Sequence, residues 1–573
     1  MARIKHLDED TINKIAAGEV IERPASAVKE LVENSIDARA RRIIVEVNDG
    51  GSSLIRVTDD GCGIEPDDLP LAFMKHATSK ISNARDLESI KTLGFRGEAL
   101  ASIASVSRCV EVRTRIPGSL SGTYMRMEAG KVAEIKGVGC AVGTTITVWD
   151  LFYNVPARRK HLKGREAELV HITNTITEMA IINYTIAFEL FSGSRTIFKS
   201  TRASCWDDVL LRIFGLKTFK SMAPLQTEGR GWRLTGTAGD PFSARSSPDR
   251  IFIFVNGRAV SSRALAGALR DAYRNVIPQA KSPVAVLSLV VEPELVDVNV
   301  HPAKREIRLL REEEICSALS QAVAGALAAR AQGSQAAPER SPHVSLHPSR
   351  AMIAQGSEQV TLPLQLGLDE KSGLEERAAE MRRPRVKILG QILDLYIVAE
   401  GEQCLMLIDQ HAAAERIRFE RLQERYINRK IRQELAVPIT IDLSPSERIL
   451  MESWNEKLSE IGFEIAPFGG DTISVRSVPA LGKWLESAEA IHDILSDLFA
   501  VGKVGQGSIN RDEILRLLAC KGSIKSGKEL GMAEMQRLLE ELYECQNPLT
   551  CPHGRPVAVT IDQNQLERLF ARR

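Results

Sequence analysis

Residues 23–40, RPASAVKELVENSIDARA, carry the pattern on which the fold turns. Val28, Leu31, Val32 and Ile36 recur at three- and four-residue spacing, which predicts a helix beginning near Pro24 and Ser26 with Glu30, Glu33, Asn34 and Asp37 on its opposite, polar face. Taken alone, that face is ordinary solvated surface. The following text is strand-like: RIIVEV (42–47) and SLIRVT (53–58) form a hairpin around Asn48, Asp49, Gly50 and Gly51, and the second strand runs into DDGCGI (59–64). Asp59 followed by Gly61 and Gly63 suits a loop whose backbone passes close to a flat ligand while one acid accepts a hydrogen bond from it. Acid-glycine turns are also common hairpin chemistry, so this motif is weak by itself. Further on, TLGFRGEALASIASV (92–106) sets Gly94 and Gly97 just before a helix, whose free N-terminal amides can bind phosphate with Arg96 adding charge. GTTITVWDLF (143–152) then supplies a strand with Gly143, Thr144 and Thr145 at its entrance.

Four segments in this order resemble the GHKL ATPases, the superfamily of gyrase B subunits, ninety-kilodalton heat-shock chaperones, histidine kinases and MutL. Within it, IAAGEVIERPASAVKELVENSIDA (15–38), HATSKI (76–81), GFRGEALASI (94–103) and LFYNVPARRK (151–160) are similar almost letter for letter to the MutL family of DNA mismatch-repair proteins, over residues 8–165. The resemblance implies that Glu30 is the general base that activates water on the γ-phosphate of ATP and that Asn34 is a ligand of the nucleotide-bound Mg2+. Four positions apart, the two can serve one phosphate tail from one helix face. By the same resemblance Asp59 recognises the adenine amino group, with Gly61 and Gly63 beside it. Thr78, Ser79 and Lys80, with Gly94, Phe95, Arg96, Gly97 and Glu98, form the lid over the phosphates, and Thr144 lies on the strand beneath the base. VDVNVHPAKRE (296–306) reads as a strand through Val296, Val298 and Val300, followed by a loop exposing Lys304. A lone loop lysine is ordinarily solvated. Here it matches the family lysine that reaches from a second domain to the γ-phosphate.

With 573 residues, the chain has room for roughly three to five domains. Its 44% hydrophobic and 26% charged content is that of a soluble protein, and no apolar run approaches the ~20 residues of a membrane span. The first twenty residues lack the apolar core of a secretory signal. Nine scattered cysteines fit free thiols better than a disulfide framework. An intracellular protein is expected, cytoplasmic and, in a bacterial cell, nucleoid-associated, with no membrane partner. The net charge of +1 gives no global attraction to nucleic acid, so DNA affinity requires a local basic surface.

Strand and helix text alternates to about residue 330. The Ala-, Ser-, Gln- and Pro-rich stretch that begins AQGSQAAPERSPHVSLHPSR (331–350) cannot offset its ordering entropy by burial. The reading is a multidomain α+β chain: a GHKL (Bergerat) ATPase α/β sandwich over 1–210, a second α/β transducer domain over 211–330, a flexible linker over 331–385, and an α/β C-terminal dimerisation and endonuclease domain over 386–573.

In FVNGRAVSSRALAGALRDAYR (254–274), Arg263, Arg270 and Arg274 share one side of a helix, with Arg258 nearby. Such a stripe is either solvated surface or a phosphate contact. The MutL resemblance, which implies double-stranded DNA held between the front domains, favours the second.

In the back block, DQHAAAERIRFE (409–420) opens where the strand CLMLI yields to a helix. Asp409 stands at the N-cap, and His411 and Glu415 are four residues apart on one face. ACKGSIKSG (519–527) adds Cys520, and CPHGRP (551–556) adds Cys551 and His553, a ligand set that suits Zn2+ and admits Mn2+ or Mg2+. With FAR (570–572) and Glu420, these segments resemble the motifs of MutL proteins that nick DNA themselves. The resemblance implies Asp409 as a catalytic carboxylate beside a metal site. QELAVP, Gln433 to Pro438, resembles the peptide that docks on the replication sliding clamp, although Ala436 stands where a larger aliphatic residue is usual. The remaining partners implied are the MutS mismatch-recognition protein and a second copy of the chain. The alternative is a non-nicking, ATP-dependent matchmaker with a structural metal. A topoisomerase subunit or histidine kinase would leave the back motifs unexplained.

Overall fold

The computed structural model describes residues 21–80, 97–246, 250–274, 276–278, 281–297, 308–333, 386–427, 432–480, 485, 487–504, 509–521 and 529–570. Helix α1 (Pro24–Asp37) starts on proline, where the missing N–H costs nothing, and buries Val28, Leu31 and Val32. β1 (Arg42–Asn48) and β2 (Leu54–Asp59) form the expected hairpin, with Ile43 opposite Asp59 and Asn48 opposite Leu54. Its turn holds Asp49, Gly50 and Gly51 at positive φ, and a Cβ on Gly50 would lie 2.7 Å from the Arg165 carbonyl oxygen.

The hairpin lies inside an eight-stranded sheet of order β5-β4-β3-β6-β2-β1-β7-β8, completed by β3 (Ser107–Arg115), β4 (Gly122–Glu128), β5 (Lys131–Val138), β6 (Gly143–Leu151), β7 (Ala187–Ser192) and β8 (Arg195–Lys199). Only β1 and β7 pair in parallel. Helices α1, α2 (Ala99–Val106) and α3 (Arg165–Ile182) cover one face, where Ile43, Val45 and Val47 are buried. The other face carries cross-strand ion pairs, Arg42–Glu189 at 2.9 Å and Arg56–Glu46 at 2.8 Å. This two-layer sandwich follows from the period-two alternation of the strands.

A five-stranded sheet follows, ordered Arg258–Ala259, Ile251–Val255, Ala285–Val291, Trp232–Ala238, Ala223–Gly229. Helix α4 (Arg263–Tyr273) lies in the crossover between the two parallel strands and, with α5 (Glu312–Gly333), buries Leu265, Leu269, Tyr273, Ile315, Leu319 and Val323. The seam expected near residue 210 falls within the helix Asp207–Ser221, which bends at Gly215 (φ +76°). Helix α5 runs to Gly333, into the stretch read as linker. The strand expected at Val296 is described over Val296–Asp297, paired with Arg308–Leu309.

By contacts the chain forms two compact units, Met1–Ala329 with Ile431–Ile514, and Arg330–Lys430 with Leu515–Arg573. This division cuts across the back block read from the sequence. In the first unit, the three-stranded sheet of Arg432–Asp442, Thr472–Pro479 and Glu464–Gly469 accompanies helices Pro445–Glu460 and Ala488–Val504, with Trp454 stacked on Phe499. In the second, the sheet Lys387–Ile392, Tyr396–Gly401, Cys404–Asp409, Ala558–Asp562 packs one face on helices Gln410–Ile427 and Met532–Tyr543 through Ile397, Ala399, Met406, Ile408 and Leu539. Among the described residues no helix is long and apolar enough to cross a membrane.

Candidate functional site

Glu30 and Asn34 are half-buried on α1. Lys80 donates to Asn34 Oδ1 at 2.9 Å and to Asp37 Oδ2 at 2.5 Å, so a cation already sits against the oxygens where the resemblance places magnesium. Glu33 departs from the expected polar face. It is buried beside Lys29 (3.7 Å), because α3 and the Arg258 strand close a cleft over that side of α1, lined also by Glu178.

Asp59 closes the end of β2. Its Oδ2 accepts from the Ser35 hydroxyl at 2.8 Å, and its Oδ1 accepts from the amides of Gly61 (2.9 Å) and Thr144 (3.3 Å). Burial holds this carboxyl above the ordinary aspartate range, against the opposing pull of the Gly61 amide and the Ser35 hydroxyl. The glycines permit the close approach: a Cβ on Gly63 (φ +72°) would lie 2.4 Å from the Arg115 carbonyl oxygen, and one on Gly143 (φ +116°) 2.1 Å from that of Asp59. Buried Thr144 shares a 3.0 Å hydroxyl contact with Thr114, which accepts from the Ile64 amide. Ser35 lies inside the motif of 15–38 without a role assigned to it there, Thr114 belongs to no motif singled out in the sequence, and only the three-dimensional neighbourhood reveals what the two do.

In the segment that the resemblance reads as a lid, the Lys80 amide donates to Thr78 Oγ1 at 3.2 Å, and Ser79 is exposed. The His76 amide donates to the Gly97 carbonyl, and its ring lies 3.3 Å from Glu98. Gly94, Phe95, Arg96 and Lys304 lie outside the described residues.

Helix α4, capped by Ser262, exposes Arg263 and Arg270, and Arg274, the exposed residue that follows its last turn, pairs with Asp271 at 2.6 Å. Arg258 is half-buried in the cleft with Glu33 and Glu178 and does not share the exposed stripe.

In the second unit, Asp409 Oδ1 accepts from the amides of His411 (2.9 Å) and Ala412 (3.0 Å), capping the helix as its position foretold. Buried Glu415 lies 3.2 Å from His411 Nε2 through Oε1 and 3.3 Å from His553 Nδ1 through Oε2. His411, Glu415 and Cys520 offer ligand atoms within 4.8 Å of one another, and so do Glu415, Cys551 and His553. Glu420 accepts from the amides of Gln546 and Asn547, and Arg416 donates to the Thr550 carbonyl at 2.6 Å, anchoring the segment that carries Cys551. Phe570 is exposed, and 571–573 lie outside the described residues. Within Gln433 to Pro438, Gln433 and Glu434 pair with Val478 and Ser477 and the four residues after them bulge before pairing resumes at Ile439–Val475, leaving Val437 73% exposed.

Three family models match, each over its own stretch. A histidine kinase-, DNA gyrase B- and HSP90-like ATPase covers 21–135, the C-terminal domain of DNA mismatch repair protein covers 210–328, and the MutL C-terminal dimerisation domain covers 389–530. The DNA mismatch repair protein MutL of Methanothrix thermoacetophila is 52% identical across the whole of both chains. The chain belongs to the MutL family. Other MutL proteins, from Methanoculleus marisnigri and Symbiobacterium thermophilum, are 37% and 38% identical, again end to end. A solved structure, "Crystal Structure of N terminal domain of a DNA repair protein", is 28% identical with a TM-score of 0.50 and covers 56% of this chain and 99% of that one. The front of this MutL chain is therefore a GHKL-type ATPase domain, within a multidomain α+β protein of DNA mismatch repair.

Proposed function

We propose that this MutL chain couples slow ATP hydrolysis in its front block to metal-dependent nicking of DNA by its back block. The observation that carries the nicking is Glu415 between two imidazoles, with Cys520 and Cys551 completing two ligand triads. Nitrogen, oxygen and sulfur donors together fit zinc, and the carboxylate admits manganese. A divalent ion there would polarise the phosphodiester and supply an activated water. His411, Glu415, Cys520, Cys551 and His553 would hold it. Asp409 would orient the attacking group through Oδ2, which makes no hydrogen bond among the described residues.

In the front block, Asp59 would accept from the adenine amino group, and Glu30 would take the proton of the attacking water. Asn34 would hold magnesium once Lys80 yields its place, which fits the lid role of Thr78 to Lys80 and Gly94 to Glu98. Lys304 would sense the γ-phosphate and tie the second front domain to the first. Exposed Arg263 and Arg270 suit duplex phosphates, with Arg258 and Arg274 contributing less.

The back sheet supports a homodimer. Its face away from the helices carries Leu389, Val398, Leu405, Leu407 and Val559 without a covering layer among the described residues, the kind of apolar surface a second copy would bury. Gln433 to Pro438, bulged from Leu435 onward, suit docking on a sliding clamp, and MutS is the partner that would deliver mismatch recognition.

The matchmaker alternative draws on one feature, that Asp409 already serves as a helix cap. Incubating the purified protein with mismatched circular DNA, with and without ATP, clamp and manganese, separates the two. Nicking that requires manganese supports the endonuclease, and intact circles under every condition favour the matchmaker.

A further inference from the structure

The described residues of 432–514 meet the front block at two footings. At the first, helix Pro445–Glu460 lies along α3 and β8. Arg448 donates to the carbonyls of Thr196 (3.0 Å) and Ile197 (2.9 Å) on the sheet's edge strand, and Glu452 pairs with Arg195. At the second, Glu447 pairs with Arg250, the side chains 7% and 6% exposed, Lys281 Nζ sits 2.6 Å from Asp493 Oδ1, and the Ser246 amide donates to Ser496 Oγ at 3.1 Å. Asp442 also rests on the kink of the helix Asp207–Ser221: a Cβ added to Gly215 would lie 2.7 Å from Asp442 Oδ2.

Two features distinguish this from incidental packing. Helix α3 is apolar around most of its circumference, burying Leu169, Val170, Ile172, Ile176, Met179 and Ile181, so it needs a cover on the side away from its sheet. Glu447 also has a second task, completing the capping box of its own helix by accepting from the Ser444 amide at 2.8 Å. A buried ion pair of this kind fixes one docking register, because displacement strands a charge away from water.

We propose that residues 432–514 form an intramolecular strap across the hinge of the two front domains, and that movement of one domain against the other on nucleotide binding changes its hold. The second half rests on the reading that Lys304 brings the second domain to ATP. The strap would carry nucleotide state to the back of the chain, since it is itself a segment of the back block.

Hydrogen exchange on the full-length chain tests both halves. Arg250→Glu or Glu447→Arg should speed exchange in Pro445–Glu460 by about tenfold or more, and the Arg250→Glu/Glu447→Arg pair should restore most of the protection. Magnesium with a non-hydrolysable ATP analogue should alter protection at both footings together. Single reversals that leave the helix unchanged overturn the strap. Protection gained at Asp59–Gly63 with both footings unmoved overturns the coupling alone. No protection at Asp59–Gly63 instead sinks the nucleotide reading, and the coupling with it, while the charge-swap arm still decides the strap.

Discussion

Glu415 Oε2 lies 3.3 Å from His553 Nδ1, although 138 positions separate the two residues. Its Oε1 meets His411 four positions away on the same helix, so one buried carboxylate joins both candidate ligand triads. Glu415→Gln should therefore lower metal uptake more than His553→Ala, which touches one triad only. Isothermal titration with zinc and manganese checks this, and equal losses would mean the two triads do not share Glu415.

Glu30 is needed when water attacks and contributes little to holding ATP. Glu30→Ala should lose turnover by roughly two to four orders of magnitude with nucleotide affinity retained. Phosphate release and analogue binding measured on one preparation decide it. Turnover near wild type removes Glu30 from the base role.

Asp59 links affinity to stability through its raised pKa. Since the folded-state value lies above the unfolded one, the folded protein holds this proton more tightly, and the contribution to stability present in acid is lost as pH rises through the raised value. At neutral pH the buried carboxylate is thus a net cost. Asp59→Asn keeps the acceptor for Gly61 and Thr144, so it should raise the melting temperature at neutral pH, with the gain vanishing in acid. ATP affinity should fall about 10- to 100-fold, the worth of one hydrogen bond to a charged group. A variant that melts lower at neutral pH contradicts this account.

The arginines of α4 should not act equally. Arg274 is engaged by Asp271, whereas Arg263 and Arg270 have no ion-pair partner among the described residues. Arg263→Glu and Arg270→Glu should weaken binding to every duplex alike and flatten its salt dependence, and Arg274→Glu should do so less. Salt titrations with duplexes of unrelated sequence test the ranking, and an unchanged slope in all three returns the stripe to solvated surface.

What the sequence disclosed follows from the range of each interaction. The α1 periodicity, the β1–β2 hairpin, the Asp409 cap and the His411–Glu415 pairing are local, and each was legible. Glu33 was misread because periodicity shows two faces of a helix and cannot show the cleft that α3 and Arg258 close over a third. Ser35 reaches Asp59 because α1 packs on the sheet, and Thr114 reaches Thr144, itself a donor to Asp59, through the pairing of β3 with β6. The grouping of 431–514 with the front residues rests on contacts such as Arg250–Glu447, 197 positions apart, which no local pattern encodes.

The most direct test of the account is nicking of supercoiled DNA by the full-length protein and its Asp409→Asn variant at matched manganese concentrations. Asparagine is as good an N-cap as aspartate, so the variant should fold and hydrolyse ATP as the wild type does. Asp409→Ala, by contrast, should lose about 1 kcal/mol with the cap. The account predicts that wild-type protein converts supercoiled circles to relaxed ones and that Asp409→Asn stays at background. Relaxation by Asp409→Asn at the wild-type rate would contradict it.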